Sequence, residues 1–207
     1  MRVQFSTLNH LLLIIFWILY YSVHSVLAAT SVKVFFEKEL EKYFRYYRLA
    51  YSIFATITLI ALLYFQYSFK SPVLIKSSLI KYIAVLFLIV PGATIMGISI
   101  KKYFMLLSGV RSIFTAKPVS ELKVTGIHRF LRHPLYAGTI LFVWGLFFVF
   151  PLLNNLIAAL LLTLYIFIGI SFEEKKLKKE FGKNYEDYIL NVPMLFPQFR
   201  YKKNRKF

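Results

Sequence analysis

The chain has 207 residues, 58% of them hydrophobic, and a mean hydropathy of +0.62. A soluble domain of that length cannot bury so much apolar surface, so the composition specifies an integral membrane protein. With no cysteine, disulfides, thiolate catalysis and cysteine-based metal sites are excluded, and no metal site is expected.

The net charge of +17, from 26 Lys+Arg against 9 Asp+Glu, is clustered between apolar runs. That pattern suits contact with anionic lipids and orientation in the membrane, and nothing resembles a nucleic-acid module. Residues 11–21 form a dense apolar run with no charged residue between Arg2 and Lys33. Val26-Leu27-Ala28 has the small-residue look of a signal-peptide cleavage site, yet the run also has the length of a first spanning helix. Residues 33–48 alternate charges with Phe35, Phe36, Tyr43, Phe44, Tyr46 and Tyr47, which predicts an amphipathic segment at the membrane interface.

Residues 46–67 and 79–100 are expected to be the second and third spans, with Pro91-Gly92 kinking the third and a hydroxyl such as Thr94 compensating. Residues 101–117 are basic and amphipathic. Two further runs, 134–150 and 152–172, are separated only by Pro151 and should form a tight helical hairpin. Gly92, Gly97 and Gly145 suit close helix packing, whereas Gly138 is placed where backbone could approach a ligand. From 173 to 191 the period changes to that of a soluble amphipathic helix, with Leu177, Phe181, Tyr185 and Tyr188 on one face. Val192-Pro193 and Phe196-Pro197 end it, before a basic tail at 200–206.

The expected fold is therefore an all-α integral membrane protein of about five transmembrane helices, with interfacial amphipathic helices and a cytoplasmic C-terminal helix. With five spans, only Arg2, Lys70, Lys76 and Lys81 of the 26 basic residues fall on one side. The positive-inside rule then predicts an outside N-terminus, a cytoplasmic C-terminus and a retained first helix, in an inner or plasma membrane. A single membrane domain over 1–207 is expected, with helices one to three in 1–118 and a functional core in 119–207.

That topology gathers polar groups at one cytoplasmic rim. Arg132, His133, Pro134, Tyr136 and Gly138 open helix four, and Glu173-Glu174 close helix five. Adjacent carboxylates at a helix C-terminus oppose the helix dipole unless a cation compensates. Each group has a plain alternative. The glutamates could pair with Lys175–Lys179 side chains, Arg132 and His133 could be interfacial anchors, and Tyr136 could be a belt tyrosine. Taken together they describe a pocket for a zwitterionic, partly apolar small molecule.

The residues Gly126-Ile127-His128-Arg129-Phe130-Leu131-Arg132-His133-Pro134-Leu135-Tyr136-Ala137-Gly138, Glu173-Glu174-Lys175-Lys176-Leu177, Phe181-Gly182-Lys183-Asn184-Tyr185-Glu186-Asp187-Tyr188 and Val192-Pro193 carry a resemblance. In order and spacing they resemble the isoprenylcysteine carboxyl methyltransferase and phospholipid methyltransferase superfamily. Trp17, His24-Ser25-Val26-Leu27-Ala28 and Tyr47-Arg48-Leu49 are similar to its branch of NnrU-like proteins and methanethiol S-methyltransferases.

The resemblance implies an S-adenosylmethionine-dependent methyltransferase whose acceptor enters from the bilayer. It implies that His133, Pro134, Tyr136, Gly138, Glu173, Glu174, Leu177 and Tyr185 bind the cofactor, with Arg132 and Glu174 at the catalytic end. His24 and His128 become candidate substrate contacts, His128 standing where the family has tyrosine. The acceptor could be a small molecule or a lipid, with a thiol, carboxylate or amine receiving the methyl group. Two other readings are a sterol-reductase-like enzyme using NADPH, disfavoured by Thr139 after Gly138, and a non-enzymatic membrane subunit.

Overall fold

A computed structural model of the protein describes residues 2–107, 122 and 124–196. Among the described residues, four helical runs are long and apolar enough to cross a membrane: Thr7–Ala28, Thr30–Tyr67, Ser78–Lys101 and Leu153–Phe181. Only 17% to 28% of the most apolar stretch of each is buried inside the protein, so most of that surface needs hydrocarbon. The chain is an all-α integral membrane protein. A fifth apolar helix, Pro134–Val149, has 16 residues. At about 24 Å it falls short of the roughly 30 Å hydrocarbon core.

In chain order the helices are α1 (Arg2–Ala28), α2 (Thr30–Leu40), α3 (Tyr47–Tyr67), α4 (Ser78–Ala84), α5 (Val90–Leu107), α6 (Pro134–Val149), α7 (Leu153–Phe181) and α8 (Lys183–Asn191). Between α2 and α3, Glu41 has a φ of 45° and a tight turn, Glu41–Tyr46, follows. This break separates the amphipathic segment, none of whose α2 residues is buried, from the span behind it. A π-helical turn, Val85–Ile89, joins α4 to α5 just before Pro91. The proline removes one backbone donor, and a wider turn absorbs that loss. Thr94 Oγ1 donates to Val90 O at 2.8 Å, its own i−4 carbonyl, so the hydroxyl does not serve the group that Pro91 leaves free. Residues 108–117 of the basic segment and the 200–206 tail lie outside the described residues.

The chain divides into two compact units, Met1–Lys76 with Tyr103–Pro118 and Pro151–Leu161, and Ser77–Lys102 with Val119–Phe150 and Leu162–Phe207. Most of the third span therefore groups with α6 and the end of α7.

In the first unit, α1 and α3 are tied by polar bonds in an apolar setting. Trp17 Nε1 donates to Gln66 Oε1 at 3.0 Å, and Gln66 Nε2 donates to Asn155 Oδ1 at 2.9 Å. Asn154 Nδ2 donates to Gln66 O at 2.7 Å, while its backbone N donates to Ser71 Oγ at 3.0 Å. The segment around Pro151 is extended and pairs with residues 72–74 through Leu74 N to Pro151 O (2.7 Å) and Leu153 N to Pro72 O (3.1 Å). In hydrocarbon such amides have no water to turn to, so each must find a partner within the protein.

In the second unit, α6 crosses the π turn and α5 at very close range. A Cβ on Gly138 would come within 2.9 Å of Gly92 O and Met96 N, and one on Gly145 within 2.6 Å of Ile89 Cγ1. The sequence reading of Gly92 and Gly145 as packing glycines agrees with this, and Gly138 joins them. Gly97 does not, since a Cβ there meets nothing within 4 Å. The expected hairpin is present: Ala137 and Ile140 of α6 share a core with Ile166 and Ile170 of α7, and Trp144 Nε1 donates to Thr163 Oγ1 at 3.0 Å.

Candidate functional site

The amphipathic stripe Leu177, Phe181, Tyr185 and Tyr188 forms one cluster with Val192, yet two helices build it. The α7 helix runs on to Phe181, and Gly182 breaks it with a φ of +53°. A Cβ at Gly182 would have space, so the left-handed backbone is the reason for glycine there. Glu173 and Glu174 consequently lie inside a helix and not at its C-terminus. The expected conflict with the helix dipole, which is confined to the last turn, does not arise.

The loop before α6 is shaped by its own polar groups. Tyr188 Oη donates to His128 O at 2.6 Å, and His128 Nδ1 lies 3.2 Å from Arg132 O. His128 thus braces the turn Gly126–Arg129, whose first residue has a φ of +65°. Arg132 and His133 then run extended beside the Val192-Pro193 turn. Arg132 N donates to Pro193 O at 2.9 Å, and His133 N donates to Met194 O at 3.1 Å. Pro134 is buried at the first position of α6, where its missing N–H costs nothing.

The Arg132 side chain, 7% exposed, makes four polar contacts. Its Nε and Nη2 each lie 2.8 Å from Glu174 Oε1. Its Nη1 donates to Val192 O at 2.6 Å and to Ile189 O at 3.2 Å. His133 Nε2 lies 3.1 Å from the same Glu174 oxygen, and because a carboxylate only accepts, that nitrogen carries the proton. Glu174 is 15% exposed; Glu173 is 44% exposed, with Oε2 3.9 Å from His133 Nδ1. The Tyr136 ring stacks on His133, centroids 5.7 Å apart.

Of the candidate residues, Arg132, His133, Pro134, Tyr136, Glu173, Glu174, Leu177, Tyr185 and His128 are brought together in the second unit. Arg132 gives four of its five N–H donors to Glu174 and the Ile189 and Val192 carbonyls, so its first work is to hold the fold. Gly138 is pressed on α5, so helix packing accounts for its missing side chain. His24 belongs to the first unit, where its ring meets Tyr51 Oη at 2.9 Å. The Ile189 and Val192 carbonyls escaped sequence reasoning because backbone acceptors carry no residue signature. The three-residue spacing of Tyr185 and Tyr188, which puts both on one helix face, was the available sign of the Tyr188 bond.

Tyr185 is 1% exposed and its hydroxyl has no hydrogen-bond partner among the described residues. Burial, then the Glu174 carboxylate, pushes this hydroxyl well above the usual tyrosine range, against a smaller pull from Arg132. The unfolded chain loses this proton near pH 10 while the folded protein keeps it, so the group costs stability as pH rises beyond that point. Tyr185→Phe should match or exceed the parent's stability at neutral pH, by up to about 1 kcal/mol. It should also make the alkaline loss shallower. Melting curves from about pH 8 to pH 11 check this, and a less stable variant at neutral pH would contradict it.

The model of the phospholipid methyltransferase family matches residues 80–184. Methanethiol S-methyltransferase of Pseudomonas deceptionensis is 38% identical over 88 residues, 41% of this chain and 32% of that protein. Methanethiol S-methyltransferase 2 of Bradyrhizobium diazoefficiens is 35% identical over 99 residues, 44% and 37% of the two chains. The enzyme of that name from Mycobacterium tuberculosis is 32% identical over 98 residues, 44% and 38%. The chain thus spans about a third of the length of the curated relatives it matches. No solved structure matches it. With the match extending from α4 across the Arg132–Glu174 pair to the start of α8, the chain belongs to the phospholipid methyltransferase family.

Proposed function

We propose that the protein is an S-adenosylmethionine-dependent membrane methyltransferase acting on a small thiol or another lipophilic acceptor, with its site in residues 119–207. The observation that carries this reading is the Glu174 carboxylate, held by Arg132 and His133 next to the buried Tyr185 hydroxyl, which has no partner among the described residues. All three donors converge on Oε1 of Glu174, which leaves Oε2 and the more exposed Glu173 carboxylate to accept from another molecule. Two carboxylates, one hydroxyl and an aromatic face on Tyr136 fit a cationic ligand with an amino group, ribose hydroxyls and a flat base.

When bound, S-adenosylmethionine supplies a methyl group on a sulfonium sulfur, so its departure needs no acid from the protein. The chain's own work is then to orient and to exclude water. Arg132 fixes Glu174, the stacked His133 and Tyr136 rings would flank the bound cofactor, and Tyr185 and Leu177 would pack on its C-terminal side. Family membership supports the methyl donor. The names of the relatives support a thiol acceptor. We assign the N-terminus to the outside and the site to the cytoplasmic face from the basic-residue distribution, which also favours anionic lipid around it.

The test is binding of S-adenosylhomocysteine to the detergent-purified protein. At a hundred times the Kd a ligand adds about 2.7 kcal/mol of stability. Saturating ligand should therefore raise the melting temperature of the parent, and Glu173→Gln and His133→Ala should lose the shift. Methyl-labelled donor should then mark a thiol in preference to a phospholipid. Absence of any shift in the parent, or an undiminished shift in both variants, overturns the assignment.

A further inference from the structure

The first unit carries a cleft that the methyl-transfer reading does not use. One part, about 360 Å³, is apolar and runs between α1 and α3 past Phe16, Leu62 and Phe65. A second part, about 440 Å³, lies at the other end and is lined by Lys33, Tyr47 and Arg48. Tyr20, His24, Tyr51 and Ala55 line both parts, so the two adjoin. The contact of the Tyr51 hydroxyl with the His24 ring sits where they meet. Among the described residues, no carboxylate lines either part. Both volumes fall in the roughly 300–1,000 Å³ of ordinary ligand sites.

The polarity of the cleft follows the helices. Lys33 stands in the first turn of α2 and Arg48 in the first turn of α3, and Phe65 lies near the other end of α3. Arg48 and Phe65 are about 25 Å apart along that helix, more than half of a roughly 30 Å hydrocarbon core. Cations at the mouth and a hydrocarbon slot behind them match a molecule with an anionic head and a long apolar tail.

We infer that this cleft is a binding site for an anionic phospholipid, its phosphate at Lys33 and Arg48 and one acyl chain between α1 and α3. A small thiol would leave the apolar slot unfilled, and a zwitterionic head would bring a cation to a mouth that already holds two. The inference does not depend on what the Arg132–Glu174 cluster does.

Native mass spectrometry of the full chain in detergent, with equimolar phosphatidylglycerol and phosphatidylcholine of identical chains, tests the inference. Phosphatidylglycerol should be retained over phosphatidylcholine. One basic side chain near an anionic lipid corresponds to roughly fivefold in binding, so Lys33→Gln and Arg48→Gln should each lower retention by about that factor. Ala55→Phe, which fills the junction of the two parts, should lower it further, and Lys70→Gln should not change it. Melting curves establish that each variant is folded. Equal retention of the two lipids, unchanged retention in folded Arg48→Gln and Ala55→Phe, or full competition by inorganic phosphate alone overturns the inference.

Discussion

Glu174→Ala is expected to cost about 3 kcal/mol or more of stability and, with it, all affinity for S-adenosylhomocysteine. The variant strands the Arg132 guanidinium, 7% exposed, between the Ile189 and Val192 carbonyls with its Nε and Nη2 unpaired. It also removes the acceptor that orients His133. Removing one member of a buried ion pair is far more damaging than replacing both, because the surviving charge keeps its desolvation cost. The double variant Arg132→Met with Glu174→Ala should therefore be more stable than Glu174→Ala alone, while still failing to bind. Thermal or denaturant unfolding of the four proteins in the cycle, each with and without S-adenosylhomocysteine, separates the two contributions. If Glu174→Ala unfolds like the parent, the ion pair does not hold the C-terminal turn on the loop.

The second large effect is expected at Gly138. Its Cα faces the backbone of α5, and an added Cβ would lie 2.9 Å from Gly92 O and Met96 N, backbone atoms that cannot swing aside as a flexible side chain would. Gly138→Ala should cost about 1–3 kcal/mol by forcing α6 off α5, and Gly138→Leu should prevent correct assembly of the second unit. Gly97→Ala is the control, since it meets nothing and gains helix propensity, so its stability should be unchanged or slightly higher. Ligand binding separates packing from cofactor contact. The folded fraction of Gly138→Ala should bind S-adenosylhomocysteine nearly as well as the parent. A variant that keeps its melting temperature and loses binding would restore the cofactor role for Gly138.

Local chemistry explains which parts of this protein were legible in advance. Hydropathy is a property of consecutive residues, so the membrane class and the spans at 46–67 and 79–100 could be read directly. The cluster of Arg132, His133 and Glu174 was also legible, because charged and titratable groups beside apolar runs are costly unless they meet. The break at Gly182 was harder. The stripe from Leu177 to Tyr188 keeps helical spacing straight across it, and periodicity does not register a single left-handed residue. The amide network of Gln66, Asn154 and Asn155 was missed for a different reason. Each looks tolerable alone, and the Asn-Asn pair after Pro151 gains meaning only when Gln66 and Ser71 are beside it.

The sequence by itself determined that the chain is a membrane protein, where its apolar runs lie, and which ionisable residues must find partners, since each follows from transfer energies of neighbouring groups. Only the tertiary structure decided the role of each group. Gly97 and Gly138 are alike as letters, and which one is crossed by another helix depends on the packing of α6 against α5. Arg132 looked available for a substrate until its partners proved to be Glu174, 42 residues away, and the carbonyls of Ile189 and Val192. Every residue carries a backbone carbonyl, so the chain must fold before any one of them becomes the partner of an arginine.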